Sequence, residues 1–249
     1  MKNKLKQQFL HFKLLLKSVP PLIFTFFVVA VFAMNLLANK SIDIPVDWLA
    51  LDCGIVVSWI AFLCMDVLTK HFGPKAATQI SLVATAVNLG ACLLFWAASK
   101  VPGMWGQYYE LGENSIVNDA LNNTFGGTWY VVVGSTVAFV VSALVNNFTN
   151  WAIGKTFTKH PDGFVAYACR SYVSTAIAQF VDNLVFALLV SHFFFGWTWL
   201  QCVTCALTGM VFELVCEIAF SPIGFAVCKR WQREQIGKEY LEFETTIDK

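Results

Sequence analysis

Six long apolar runs stand out along the chain, near Pro21–Ala38, Trp48–Leu68, Ala76–Ala98, Thr128–Trp151, Phe164–Phe194 and Thr198–Val227. A helix that crosses a bilayer needs about 20 mostly apolar residues. The pattern therefore predicts six transmembrane helices joined by short polar breaks. The last two runs exceed the minimum, so tilt or extension beyond the bilayer is expected. One break is long. Ser99–Gly127 carries Trp105, Tyr108, Tyr109, Glu110 and Glu113, and reads as an external loop of a length often used for lids or binding segments.

Composition agrees with that pattern. Hydrophobic residues make up 57% of the chain and charged ones 13%, against about 25% charged in soluble domains. The fold class expected is an all-α integral membrane protein, one transmembrane domain over residues 1–249 with no large soluble part. The N-terminal MKNKLKQQFLHFKLLLK (residues 1–19 with its flank) is basic and amphipathic, and reads as an interfacial helix held by anionic lipid. The tail from Gln232 (residues 232–249) reads as a solvated helix end.

The net charge of +1 says little, but its distribution says more. Lys2, Lys4, Lys6, Lys13 and Lys17 precede the first run, and Lys70 and Lys75 lie between the second and third. Lys155 and Lys159 lie between the fourth and fifth, and Lys229, Arg230, Arg233, Lys238 and Lys249 follow the sixth. The opposite side has Lys40 and Lys100. The positive-inside rule then places both termini in the cytoplasm. The first run is long for a signal-peptide core and has no convincing cleavage site after it, so it reads as a signal anchor. A multi-pass protein of a bacterial plasma membrane is expected.

Within this apolar frame, Asp52, Asp66, Asp182, Glu213 and Glu217 fall inside the runs. One acid at the centre of a spanning helix costs about 2.5–3.5 kcal/mol on insertion scales. Such groups must face a bundle interior or a watery cavity. Gln179, Asp182 and Asn183 share one helical face, since Asp182 lies about 60° to one side of Gln179 and Asn183 about 40° to the other. Two amides and a carboxyl suit a planar heterocycle; helix–helix hydrogen bonding is the plainer use of the same groups.

Asp52 and Asp66 lie about 21 Å apart along a helix axis, too far for a dyad. Asp66 has Lys70 at i+4, a salt-bridge spacing. Glu213 and Glu217 share a face at i, i+4, which suits either proton coupling or a vestibule. Trp59 lies mid-run, for stacking on a planar ligand or for packing, whereas Trp48, Trp96, Trp129, Trp151, Trp197, Trp199 and Trp231 mark run ends. Cys202-x-x-Cys205 has no second pair or His cluster beside it, so packing is the reading taken.

The chain contains no GxGD, HExxH or phosphate-binding loop, so neither an enzyme nor an ATPase is expected. No cofactor, metal or nucleic acid is called for. The partners are a small planar heterocyclic substrate, the lipid bilayer and, in one reading, an energising module.

Four motifs carry a resemblance: Asn35-Leu-Leu-Ala38-Asn-Lys40, MDVLTKHFG from Met65 to Gly73, RSYVSTAIAQFVDNLVF from Arg170 to Phe186, and ELVCEIAFSPIGF from Glu213 to Phe225. With them the chain resembles the YhhQ-type queuosine precursor transporters, also called the vitamin uptake transporter family. The resemblance implies a six-helix bundle similar to the S components of energy-coupling-factor transporters. It also implies uptake of a 7-deazaguanine such as preQ0, preQ1 or queuine. The alternative is a substrate-binding S component that needs a separate ATPase module. Asp66 and Gly73, Gln179 and Asp182, and Glu217 and Pro222 match the family pattern. Asn146 stands where that pattern has Asp, Asn183 where it has Thr, and Glu213 where Lys is common. Asp182 and Gln179 are the expected ligand-binding residues, with Asn183, Asp66 and Trp59 beside them and Glu213 and Glu217 as candidate proton carriers.

Overall fold

The computed structural model describes residues 2–102, 111–156 and 164–247. It is helical almost throughout: α1 Lys2–Ser18, α2 Pro21–Leu37, α3 Ile55–Phe72, α4 Pro74–Ala98, α5 Leu111–Thr156, α6 Phe164–Phe186, α7 Phe193–Phe195, α8 Trp199–Arg233 and α9 Lys238–Ile247. A π-helical stretch, Ala187–His192, joins α6 to α7. By length and composition α3, α4, α8, the 116–146 part of α5 and the 173–195 segment can each cross a bilayer. Gln7–Ser18 and Pro21–Leu37 are long and apolar enough only when taken together and are bent by 98° at the break between them, so the spans number five, or six where this pair counts as one. The chain is thus an all-α integral membrane protein.

Local chemistry explains most helix ends. Pro20 cannot continue α1, and Pro21 sits at the first position of α2, where its missing N–H is no loss. The α3–α4 junction pairs Gly73, at φ 90°, with Pro74 at the start of the next helix. Glycine reaches that left-handed conformation without a Cβ clash, so the turn stops α3 sharply. Asn39 closes α2 by donating to the Leu36 carbonyl at 3.0 Å.

Two boundaries differ from expectation. The second span begins at Ile55, not near Trp48. Residues 40–53 form a short antiparallel hairpin instead, with Ile42 N–H on the Leu51 carbonyl (2.7 Å) and Cys53 N–H on the Lys40 carbonyl (2.8 Å). Its apolar side chains read as helix in sequence, but Pro45 and Gly54 break the helical pattern, and α8 completes the hydrogen bonding. Gln201 donates to the Asp47 carbonyl (3.0 Å) and Thr204 to the Trp48 carbonyl (2.7 Å). Asp52 is therefore not within a spanning helix. The expected loop Ser99–Gly127 is also mostly absent, because α5 already starts at Leu111. Gly126 and Gly127, at the end of that expected loop, lie within α5. A Cβ on Gly126 would meet Ser99 Oγ at 2.7 Å, so that glycine serves a close helix approach. Trp105, Tyr108, Tyr109 and Glu110 lie outside the described residues.

The chain divides into two compact units, and α2, α4 and α8 each contribute residues to both. Met1–Met34, Val56–Asn88 and Cys216–Lys249 form the first. Its core includes Leu15, Leu68, Phe72, Ile80, Trp231 and Tyr240. The C-terminal segment is not a solvated end. Tyr240 of α9 is fully buried and its ring lies 4.7 Å from that of His11 on α1. Glu244 reaches Lys75 at 3.8 Å, and His71 contacts the Ile236 carbonyl at 2.9 Å. The apolar face of α1 thus has a protein partner as well as any lipid it meets.

Asn35–Ile55 and Leu89–Val215 form the second unit. One cluster gathers Ala187, Trp197, Cys202 and Cys205 around Ala50 and Leu51 of the hairpin, so both thiols of the Cys-x-x-Cys are packed in apolar surroundings. Asn39 donates to Thr128 Oγ1 (3.3 Å) and accepts from the Tyr130 hydroxyl (3.4 Å), while Tyr130 stacks on Phe194 at 3.9 Å. Across the molecule the outer faces are apolar, with Leu22, Leu94, Phe193 and Ile218 each more than two-thirds exposed. Asn35, Asn88, Ser142, Gln179 and Glu213 are buried. Exposed apolar and buried polar is the arrangement lipid demands.

Gly237 tests the packing of the α8–α9 turn. It has φ 73°, and a Cβ there would collide with the Phe72 ring. Gly237→Val should cost about 2 kcal/mol or more and lower the melting temperature of the detergent-solubilised protein. An unchanged melting curve would contradict this packing.

Candidate functional site

The second unit brings together the polar face read on the fifth apolar run. On α6, Asp182 and Asn183 are adjacent and so point about 100° apart, which lets them serve two neighbouring helices. The Asp182 carboxylate accepts a hydrogen bond from Ser142 on α5 at 2.9 Å. Asn183 donates through Nδ2 to Glu213 Oε2 on α8 at 3.2 Å. Gly209, one turn before Glu213, leaves room for that contact. A Cβ there would meet Asn183 Nδ2 at 2.8 Å.

Gln179 lies one turn before Asp182 on the same face and is 4% exposed. Among the described residues its Oε1 has no hydrogen-bond partner, and the same is true of Asn146 Oδ1 on α5. Buried amide oxygens are rarely left unpaired, since each costs about 1–3 kcal/mol. The face of α6 therefore holds one carboxylate engaged by a hydroxyl and one amide acceptor still open, and α5 carries a second open amide acceptor. Ser142 carried no sequence signal, being a single serine in the apolar VVSALV run. Asn146 was marked in sequence only by its departure from the family pattern. Of the remaining polar residues on that run, the side chains of Arg170 and Ser171 lie outside the described set.

Asp66, Glu217 and Trp59 belong to the first unit. The carboxyls of Asp66 on α3 and Glu217 on α8 act on each other, and Lys70 acts on both through its charge. The Asp66–Lys70 salt bridge suggested by their spacing is not formed. Two neighbouring carboxyl groups can share a proton between them. The acid that Glu217 meets is thus Asp66, while Glu213, four residues earlier, holds Asn183. Trp59 stacks on Phe220 with ring centroids 4.3 Å apart and planes at 14°, and its indole N–H donates to the Val56 carbonyl at 2.9 Å.

Asp52 has become a helix-start residue. Its carboxylate accepts the Gly54 N–H at 2.7 Å and also bonds the Ile55 N–H, the first residue of α3. This is the side-chain turn by which Asp satisfies orphan donors before a helix. Burial nevertheless dominates and raises its pKa to about 6, against the lowering effect of those backbone bonds.

Spanning helices with apolar outer faces, a buried acid and buried amides define a polytopic membrane protein with a polar interior. Residues 52–227 match the family model described as "Putative vitamin uptake transporter". The chain belongs to this family, which is one of transporters and not an enzyme class. It is also 28% identical over 152 residues to the "Probable queuosine precursor transporter" of Bacillus subtilis (strain 168). That match covers 61% of this chain and 60% of the relative, so a good part of each lies outside it. No solved structure matches the chain.

The raised pKa of Asp52 sets a sign for pH dependence. Folding favours its protonated form, so this contribution is complete below about 3.8 and is lost as pH rises through about 6. Asp52→Asn keeps an acceptor for the helix start and removes the titration. The variant should lose less thermal stability than the native protein between pH 4.5 and pH 7.5, measured in the same detergent. Equal losses would contradict the buried state of this carboxyl.

Proposed function

We propose that the protein imports a queuosine precursor, a 7-deazaguanine, or a similar planar nucleobase-like compound across the plasma membrane. The observation that carries this reading is Gln179: a buried amide with an unpaired oxygen, one turn from Asp182, inside a helix that spans the bilayer. A 7-deazaguanine presents ring N–H and amino donors on a flat frame. Asp182 and Gln179 are acceptors for such donors, and charge-assisted bonds of this kind are the strong ones. The name of the Bacillus relative points to the same ligand class.

In this reading Asp182 and Gln179 bind substrate. Asn183 holds α8 through Glu213, and this places the wall of the site. The proton-carrying role falls on Asp66 with Glu217, since these two carboxyls act on each other and Glu213 is committed to an amide. Trp59, stacked on Phe220, shapes the neighbourhood of that acid pair. Both termini lie in the cytoplasm, as the distribution of lysines and arginines along the chain suggests.

The test is uptake of labelled 7-cyano-7-deazaguanine by bacteria unable to make deazaguanines. Expression of the chain should restore uptake, and no uptake would refute the reading. Asp182→Asn should lower uptake roughly tenfold or more with unchanged membrane insertion. The same assay in cells without any energy-coupling ATPase module separates autonomous transport, in which uptake persists, from an S component, in which it stops.

A further inference from the structure

Asn146 is a residue for which the transport reading has no use. It lies on α5, four residues after Ser142. The bond from Ser142 to Asp182 fixes the register of α5 against α6. The two helices pack on each other and only residues 157–163 separate them in sequence, so they run antiparallel. Moving from Ser142 to Asn146 and from Asp182 back to Gln179 are therefore steps in the same direction. They amount to about 6 Å and about 4.5 Å along the axes, with turns of about 40° and 60° from the contact line. The two amide heads come to nearly the same level, side by side beyond the Ser142–Asp182 contact.

Both oxygens are buried and neither takes a hydrogen bond among the described residues. Two helices facing each other with Asn and Gln would ordinarily pair these amides to hold the helices together. Here the pairing is already made one turn away, by Ser142 and Asp182, and the amide oxygens are left over. An unpaired buried acceptor is a cost the fold bears without return. A leucine at either position would remove that cost at similar volume.

We propose that Asn146 is a ligand-binding residue, its amide oxygen accepting one uncharged N–H donor of a flat heterocycle while Gln179 accepts another. The assignment rests on the transport reading and deepens it. It names the recognised chemistry as adjacent N–H donors, such as a lactam N–H beside an exocyclic amine. Amide oxygens are neutral acceptors, so they select by donor geometry and not by charge. The Asp182 carboxyl adds an acid acceptor one turn from Gln179. A compound lacking one of the two donors leaves a buried acceptor unpaired, and this is the strongest discrimination that binding offers.

The experiment uses the purified full-length chain in detergent with two readouts. The first is the melting temperature without ligand. Asn146→Leu and Gln179→Leu should melt at or above the native temperature, because the amide oxygens pair with nothing in the free protein. A clear drop in melting temperature for Asn146→Leu would overturn the proposal, whatever the ligand, by showing a structural bond. The second is binding of 7-cyano-7-deazaguanine and of its analogues lacking the 2-amino group or methylated at the lactam nitrogen. Native protein should bind the parent roughly ten- to a hundredfold more tightly than one of these analogues. In Asn146→Leu that ratio should collapse toward one for the same analogue. Ratios unchanged for both analogues would overturn the role of Asn146 and leave the transport reading standing. If native protein binds none of the three, the deazaguanine reading falls, and the melting readout alone decides Asn146.

Discussion

Lipid donates and accepts no hydrogen bonds, and this constraint orders the whole molecule. Every polar group at membrane depth needs a partner from the protein or from what the protein carries. The helices meet it for their own backbones. The hairpin of residues 40–53 meets it by cross-strand bonds and by side chains of α8. Asp182 meets it through Ser142, Asn183 through Glu213, and Asn39 through Thr128 and Tyr130. Against such pairing, three buried amide oxygens stay open among the described residues, those of Gln79, Asn146 and Gln179, and Gln179 lies one turn from the Asp182 carboxyl.

Close helix approach makes these contacts possible. Asn183 reaches Glu213 because Gly209 has no side chain to keep α6 from α8. Gly134 on α5 meets Val190, which belongs to the π-helical stretch. That stretch begins four residues after Asn183. Its wider turn shifts the register of the side chains that follow, and such insertions are found mostly at functional sites. The polar face of α6 and the apolar cluster around Trp197 thus sit on one continuous run but are aimed separately.

The first unit shows the same economy at the end of the chain. α9 has a polar average, and in isolation nothing marks it for burial. Tyr240 enters the core with Leu15 and Phe72, and the turn before it fits under Phe72 only because residue 237 is glycine. α1 has thereby a protein surface for its apolar face, and its lysines remain for the lipid headgroups.

Much of this was legible in the residues themselves. Run length and hydropathy determine the spanning helices, because each must bury its backbone alone over a set thickness. Pro20-Pro21 and Gly73-Pro74 determine two breaks, because proline and glycine restrict the backbone whatever surrounds them. The Gln179, Asp182 and Asn183 face follows from helical period. Other features were decided only in three dimensions. Asp52 read as a membrane acid but starts a helix, because the apolar residues around it fold into a hairpin that α8 completes. Asp66 read as paired with Lys70 and has Glu217, 151 positions later, as a second neighbour. Ser99–Gly127 read as a loop, yet its 111–127 part lies inside a helix, where Gly126 permits close packing against Ser99. Helical period tells which residues share a face; it does not tell which helix that face meets. Partner choice depends on register and on close approach between helices distant in sequence, and these exist only once the chain is packed.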